Sequence, residues 1–89
     1  MVEGTTKSGF HFVVDPDALQ DMEFLDLVDE ARTNPSKLGR MFEKLLGKEQ
    51  KKALYDHVRN EKGMVLIDNV TVESDEIFDI LNHADETKN

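Results

Sequence analysis

The chain has 89 residues and a mass of 10.2 kDa, the length of one compact domain. With 38% hydrophobic and 34% charged residues it is too apolar for a disordered tail, and it lacks the run of about 18 apolar residues that a membrane span requires. Cysteine is absent and the net charge is −8, which excludes disulfides, thiolate catalysis and cysteine-built zinc sites and disfavours attraction to nucleic acid or anionic lipid.

The charge is unevenly placed. Residues 1–31 hold one Lys and eight acids, residues 32–62 nine bases and four acids, and residues 63–89 one Lys and seven acids, giving −7, +5 and −6. A basic centre between acidic ends is satisfied within one fold or between neighbouring copies.

Residues 1–8 are polar, with no apolar stretch of the kind a secretion signal carries, and are expected to be a flexible lead-in. Phe10, Phe12 and Val14 alternate with His11 and Val13, the period of two that predicts one short strand. Asp15-Pro16 is a helix cap followed by proline at the first helical position, so a first helix is expected over 16–32. Its apolar residues, Ala18, Met22, Phe24, Leu25, Leu27, Val28 and Ala31, spread wider than the stripe of a surface helix and need cover on two sides.

Asn34-Pro35 repeats the capping signal and Gly47 supplies a stop, predicting a second helix over 35–47. Leu38, Met41, Phe42, Leu45 and Leu46 form its inner stripe, with Lys37, Arg40, Glu43 and Lys44 facing away. A third helix is expected over 48–62, closed by Gly63, with Ala53, Leu54, His57 and Val58 inside. Residues 64–72 are β-branched enough for a strand. Asp68 nevertheless offers a start for a helix running through Ile77, Ile80 and Leu81, and Ser74 offers a later one; the longer helix is favoured. Residues 83–89 have nothing apolar to bury and are expected to be a mobile tail. The expected fold is mainly α with a minor β part, a single domain over 9–82 of about four helices and one short N-terminal strand.

Reactive chemistry is hard to find in this pattern. His11, His57 and His83 lack the HxxxH or HExxH spacing that converges two rings on a metal. His57, between Ala53, Leu54 and Val58, reads as a packed, hydrogen-bonded histidine more readily than as a base. The glycines form no phosphate-cradling loop, and Glu73-Ser74-Asp75 is not the Asp-Ser-Leu of a phosphopantetheine carrier. No catalytic, cofactor-binding or metal-ligating residue is assigned, and the chain is expected not to be an enzyme. An acidic inhibitor that mimics DNA and blocks a host nucleic-acid-binding protein is the alternative class, although the nine bases in residues 32–62 spoil the mimicry.

Several segments together carry a family resemblance. They are Ser8-Gly9-Phe10 leading a strand toward Asp21-Met22-Glu23-Phe24-Leu25, then Leu45-Leu46-Gly47-Lys48-Glu49-Gln50, Leu54-Tyr55-Asp56-His57-Val58-Arg59 and Gly63-Met64-Val65. Over residues 8–81 the chain resembles the tail assembly chaperones of long, non-contractile-tailed bacteriophages and prophages. Charge, hydropathy and the polar N-terminus separately lead to the expectation of a protein in the host bacterial cytoplasm with no cofactor, nucleic acid or membrane as partner. The resemblance implies a non-enzymatic role, in which the protein coats the long helical tape measure protein, keeps it soluble, and helps bring in tail tube subunits. It also implies a longer frameshifted product, of which this chain is the short form, and favours a helix after Val65. Relatives commonly carry proline after that segment, where Leu66 stands here, which leaves the start of the last helix open.

Partner contacts are expected on the apolar faces of the first and last helices, at Phe24, Leu27, Val28, Ile77, Phe78 and Leu81. A homo-oligomer is expected as well, with its salt-sensitive orientation set by Lys37, Arg40, Lys44, Lys51 and Lys52.

Overall fold

The structure, a computed structural model, describes the backbone of residues 1–87 and the side chains through His83. It is mostly helical with a small sheet. Strand β1 (Val2–Thr5) pairs antiparallel with β2 (His11–Val14), and α1 (Met22–Thr33), α2 (Leu38–Val58) and α3 (Ile67–Thr87) follow, with 3-10 turns at Pro16–Gln20 and Pro35–Lys37. The register sets Val2 opposite Val14, Glu3 opposite Val13, Gly4 opposite Phe12 and Thr5 opposite His11.

The expected strand is β2, and its alternation holds: Phe12 and Val14 are buried while His11 faces out. Its partner falls outside the expected elements. Residues 1–8 are not the flexible lead-in that their polarity suggests; they contribute β1, because Gly4 lets α3 approach. A Cβ on Gly4 would stand 2.7 Å from Ile80 Cγ2 and 3.1 Å from the Phe12 ring, closer than packed atoms sit.

Both capping signals operate, but on 3-10 turns. Asp15 accepts from the Asp17 N–H (3.0 Å) and Asn34 from the Ser36 N–H (3.2 Å). The expected first helix is therefore split, and α1 starts from a second cap, Asp21, which accepts from the Glu23 N–H at 2.9 Å. The helices number three rather than the expected four, because α2 takes in both the expected second and third helices, two helical segments that meet at a kink at Gly47. Gly47 itself is non-helical (φ 84°, ψ 166°), a conformation essentially confined to glycine. The chain reverses there: a Cβ on Gly39 would lie 2.7 Å from Tyr55 Oη, although in a straight helix those residues would be about 24 Å apart.

α2 ends at Val58, short of the expected residue 62. Arg59 leaves the helix (ψ 133°), and Asn60 Oδ1 accepts from the Lys62 and Met64 N–H groups, both at 2.9 Å. Of the four residues expected inside the third helix only Leu54 is buried, with Val58 half-buried and Ala53 and His57 exposed. α3 takes the longer of the two starts and is helical through 64–72 only from Ile67 onward. It also continues to Thr87, so most of the expected tail is helix, with residues 88 and 89 outside those described.

The core joins the sheet to all three helices: Phe10, Phe12 and Val14 meet Phe24 of α1, Met41, Phe42, Leu45, Leu46 and Leu54 of α2, and Val70, Ile77 and Leu81 of α3. Among the described residues, no helix is long and apolar enough to cross a membrane.

Candidate functional site

Two constellations bear on function, a partly buried polar cluster and a groove with an apolar floor. In the cluster, Thr6 Oγ1 donates to Glu73 Oε1 at 2.8 Å, and Ser8 Oγ lies 3.0 Å from each oxygen of the same carboxylate. Ser8 Oγ is also 2.9 Å from His57 Nε2, and the imidazole packs on the Phe10 ring at 5.7 Å. The Phe10 N–H donates to Thr6 Oγ1 at 3.1 Å. Thr6 and Glu73 are each 4% exposed.

Serine, histidine and a carboxylate together invite comparison with a nucleophilic triad, but the connections differ. In a triad the imidazole accepts the serine proton while the acid holds the far ring nitrogen. Here the carboxylate accepts from the serine directly. Ser8 has one proton, so with Glu73 as its acceptor the His57 ring nitrogen donates to Ser8 Oγ. That leaves the hydroxyl occupied as donor and acceptor. The cluster fastens the head of the hairpin to α2 and α3. His57 is packed and hydrogen-bonded as expected, although on an exposed position. Thr6, Ser8 and Glu73 were missed, and the available signal was a Glu on the stripe Val70, Ser74, Ile77, Leu81 that α3 buries. No group of three or more metal-ligating side chains occurs among the described residues.

The groove lies between α1 and α3. One half, about 610 Å³, is lined by Val28 and Ala31 of α1, Leu38 and Met41 of α2, and Thr71, Ser74, Asp75 and Phe78 of α3. The other half shares Val28, Phe78 and Asn82 and adds Phe24, Leu25, Leu19 and Leu81. Phe24 and Phe78 meet at the floor, with ring centroids 6.2 Å apart. The wide apolar face of α1 is thus only partly covered: Phe24 is buried, Val28 and Ala31 are half-buried, and Leu25 and Met22 are 43% and 65% exposed. The flanking helices are acidic. α1 carries Glu23, Asp26, Asp29 and Glu30 against Arg32, and α3 carries seven acids with no Lys or Arg.

The six expected partner residues therefore divide. Val28 and Phe78 line both halves of the groove, and Phe24 and Leu81 lie at its floor, where burial limits what a partner can touch. Ile77 is fully buried in the core, and Leu27 opens instead onto the cleft between α1 and α2; neither is a groove contact. Ala31, Thr71 and Asp75 belong to the groove and were missed.

The expected basic set is largely engaged within the chain. Lys44 Nζ binds Glu23 at 3.0 Å and Asp21 at 3.6 Å, and the Glu23 hydrogen bond, ahead of the nearby negative charges, raises its pKa. Lys51 pairs with Glu43 at 3.8 Å and sits 5.5 Å from the Tyr55 ring centroid, while Lys52 reaches Asp56 at 3.7 Å. Lys37 and Arg40 make no ion pair among the described residues. Five of the nine bases in residues 32–62 pair within the chain, but only Lys44 pairs with acids from outside that segment, so ion pairs among the described residues leave most of the +5 unmatched. Comparisons with protein-family models, with curated proteins and with solved structures return no match.

Proposed function

We propose that this chain is a non-enzymatic tail assembly chaperone of a phage or prophage with a long, non-contractile tail. In the host cytoplasm it seats a helical segment of the tape measure protein in the groove between α1 and α3 and assists addition of tail tube subunits. The observation that carries the reading is the groove itself: a trough along the 12-residue α1, with Phe24, Val28, Ala31 and Phe78 supplying apolar surface, Arg32, Thr71, Asp75 and Asn82 supplying polar surface, and largely acidic helices on both walls. An amphipathic helix binds such a trough by laying its own apolar face into it. A partner with basic residues beside that face gains charge complementarity with the −8 chain. The family resemblance supports the identity of the partner.

The test is co-expression with a tape measure protein from the same phage or prophage. A larger soluble fraction of that protein is expected, together with a complex that survives purification. No gain in solubility, together with inhibition of a DNA-binding enzyme by the purified chain, would replace this reading with that of an acidic inhibitor.

A further inference from the structure

The two edges of the small sheet are treated differently. At the outer edge of β2, Gln50 acts as a substitute strand: its Oε1 accepts from the Val13 N–H at 2.7 Å and its Nε2 donates to the Val13 carbonyl at 2.8 Å. Both polar groups of Val13 therefore point away from β1. In an antiparallel pair that makes Val13 and Glu3 a non-hydrogen-bonded pair, as are His11 and Thr5 two residues along. The side chains agree, since such pairs bring them close: Thr5 Oγ1 is 3.0 Å from His11 Nδ1, and His11 Nε2 is 3.6 Å from Glu3. So does the backbone, because Thr6 N–H donates to the Phe10 carbonyl at 2.9 Å, as the alternation requires.

It follows that the N–H and C=O groups of Glu3 and Thr5 face outward from β1. Among the described residues neither main chain finds a hydrogen-bond partner there, and both residues are exposed. A strand edge in this state is a template for another strand.

We infer that the outer edge of β1 pairs antiparallel with β1 of a second copy, about a two-fold axis at Gly4. This association is independent of what the α1–α3 groove binds. The outward groups belong to odd-numbered residues, so only registers that match odd with odd form hydrogen bonds. Centring on Glu3 would set two carboxylates opposite each other, which is unfavourable. Centring on Gly4 sets Glu3 opposite Thr5 of the other copy and the reverse, each pair exchanging two hydrogen bonds. It also brings Lys7 of one hairpin diagonal to Glu3 of the other. Lys7 is the one base in residues 1–31, is exposed, and makes no ion pair among the described residues. The charges at this edge are therefore self-complementary, which favours a copy of this chain over an unrelated strand.

Two tests address the register and the edge. The chain has no cysteine, so Glu3→Cys and Thr5→Cys variants can be mixed and mildly oxidised. Directly opposed strand residues come within disulfide reach. The expected product is the mixed dimer, joining one Glu3→Cys chain to one Thr5→Cys chain, in excess over either homodimer. Glu3→Pro removes an outward N–H without touching the β1–β2 ladder. Light scattering should show dimerisation about tenfold or more weaker, with an unchanged circular dichroism spectrum. A parent chain that stays monomeric at millimolar concentration would overturn the inference. A dimer that Glu3→Pro leaves intact, or crosslinking chiefly between two Glu3→Cys chains, would do the same. So would Glu3 and Thr5 amides that become protected only when another protein is added.

Discussion

Replacing Glu73 by Ala removes the acceptor at the centre of the polar cluster and leaves the Thr6 hydroxyl, 4% exposed, with only the longer 3.2 Å contact to Ser8 Oγ for its proton. A buried donor wholly stranded costs about 1–3 kcal/mol, and one left with this poorer partner costs about 0.5–2 kcal/mol. The lost methylenes of Glu73 add up to ~0.8 kcal/mol each, while Ser8, which is exposed, turns to water at little cost. The expected loss is about 1–3 kcal/mol, against a total of roughly 4–13 kcal/mol for a domain of this size. Urea denaturation should therefore show a midpoint well below that of the parent at a similar slope. Thr6→Val supplies the cross-check. With no hydroxyl to strand, the double variant should lose less than the sum of the single variants. A loss for Glu73→Ala under about 0.5 kcal/mol, or strict additivity with Thr6→Val, would refute the claim that this cluster fastens the hairpin to α3.

Gln50→Ala frees both polar groups of Val13 and breaks the 2.8 Å bond from Gln50 to the Leu46 carbonyl; a loss of about 1–2 kcal/mol in urea and increased light scattering on warming are expected. Gly47→Ala forces a side chain into the φ 84°, ψ 166° conformation and should cost about 1–3 kcal/mol, read as a lower thermal midpoint. The hydrogen bond from Arg59 (2.9 Å), with Lys52 adding to it, lowers the Asp56 pKa below its ordinary 3.8. The folded state therefore gains from ionised Asp56 above that ordinary value and loses the gain as pH falls through the lowered pKa. Asp56→Asn should make stability less steeply dependent on pH in that acid range, measured by urea midpoints across a pH series.

Sequence legibility followed the range of the forces involved. Asp15, Asn34 and Gly47 act on their immediate neighbours, and each does locally what its residue type suggests. The stripe through Leu38, Met41, Phe42, Leu45 and Leu46 depends on one helical period and is buried except for half-buried Leu38. β1 was not legible because Val2-Glu3-Gly4-Thr5 has weak strand propensity, and what fixes it is tertiary: pairing with β2 and the fit of Gly4 over Ile80. Glu73 and Ser74 look like a helix start in isolation. The burial of Glu73 is decided with Thr6 and Ser8, more than sixty residues away in the chain, while Ser74 turns to the groove beside α1. The groove was half legible for the same reason. The excess apolar width of α1 is a local fact, but which of its residues meet α3 and which meet α2 depends on packing.

Seating of a helix between α1 and α3 can be followed residue by residue, by titrating the isotope-labelled chain with a helical segment of the proposed partner, a phage tape measure protein, and recording backbone amide resonances. The shifts should concentrate at Val28, Ala31, Thr71, Asp75 and Phe78, the residues lining the groove. They should be abolished by Thr71→Arg, a change at an exposed position that fills the groove with a charged side chain and leaves the core intact. Binding that shifts only the basic face of α2 around Lys48 and Lys52, or that survives Thr71→Arg undiminished, would contradict a chaperone role built on this groove.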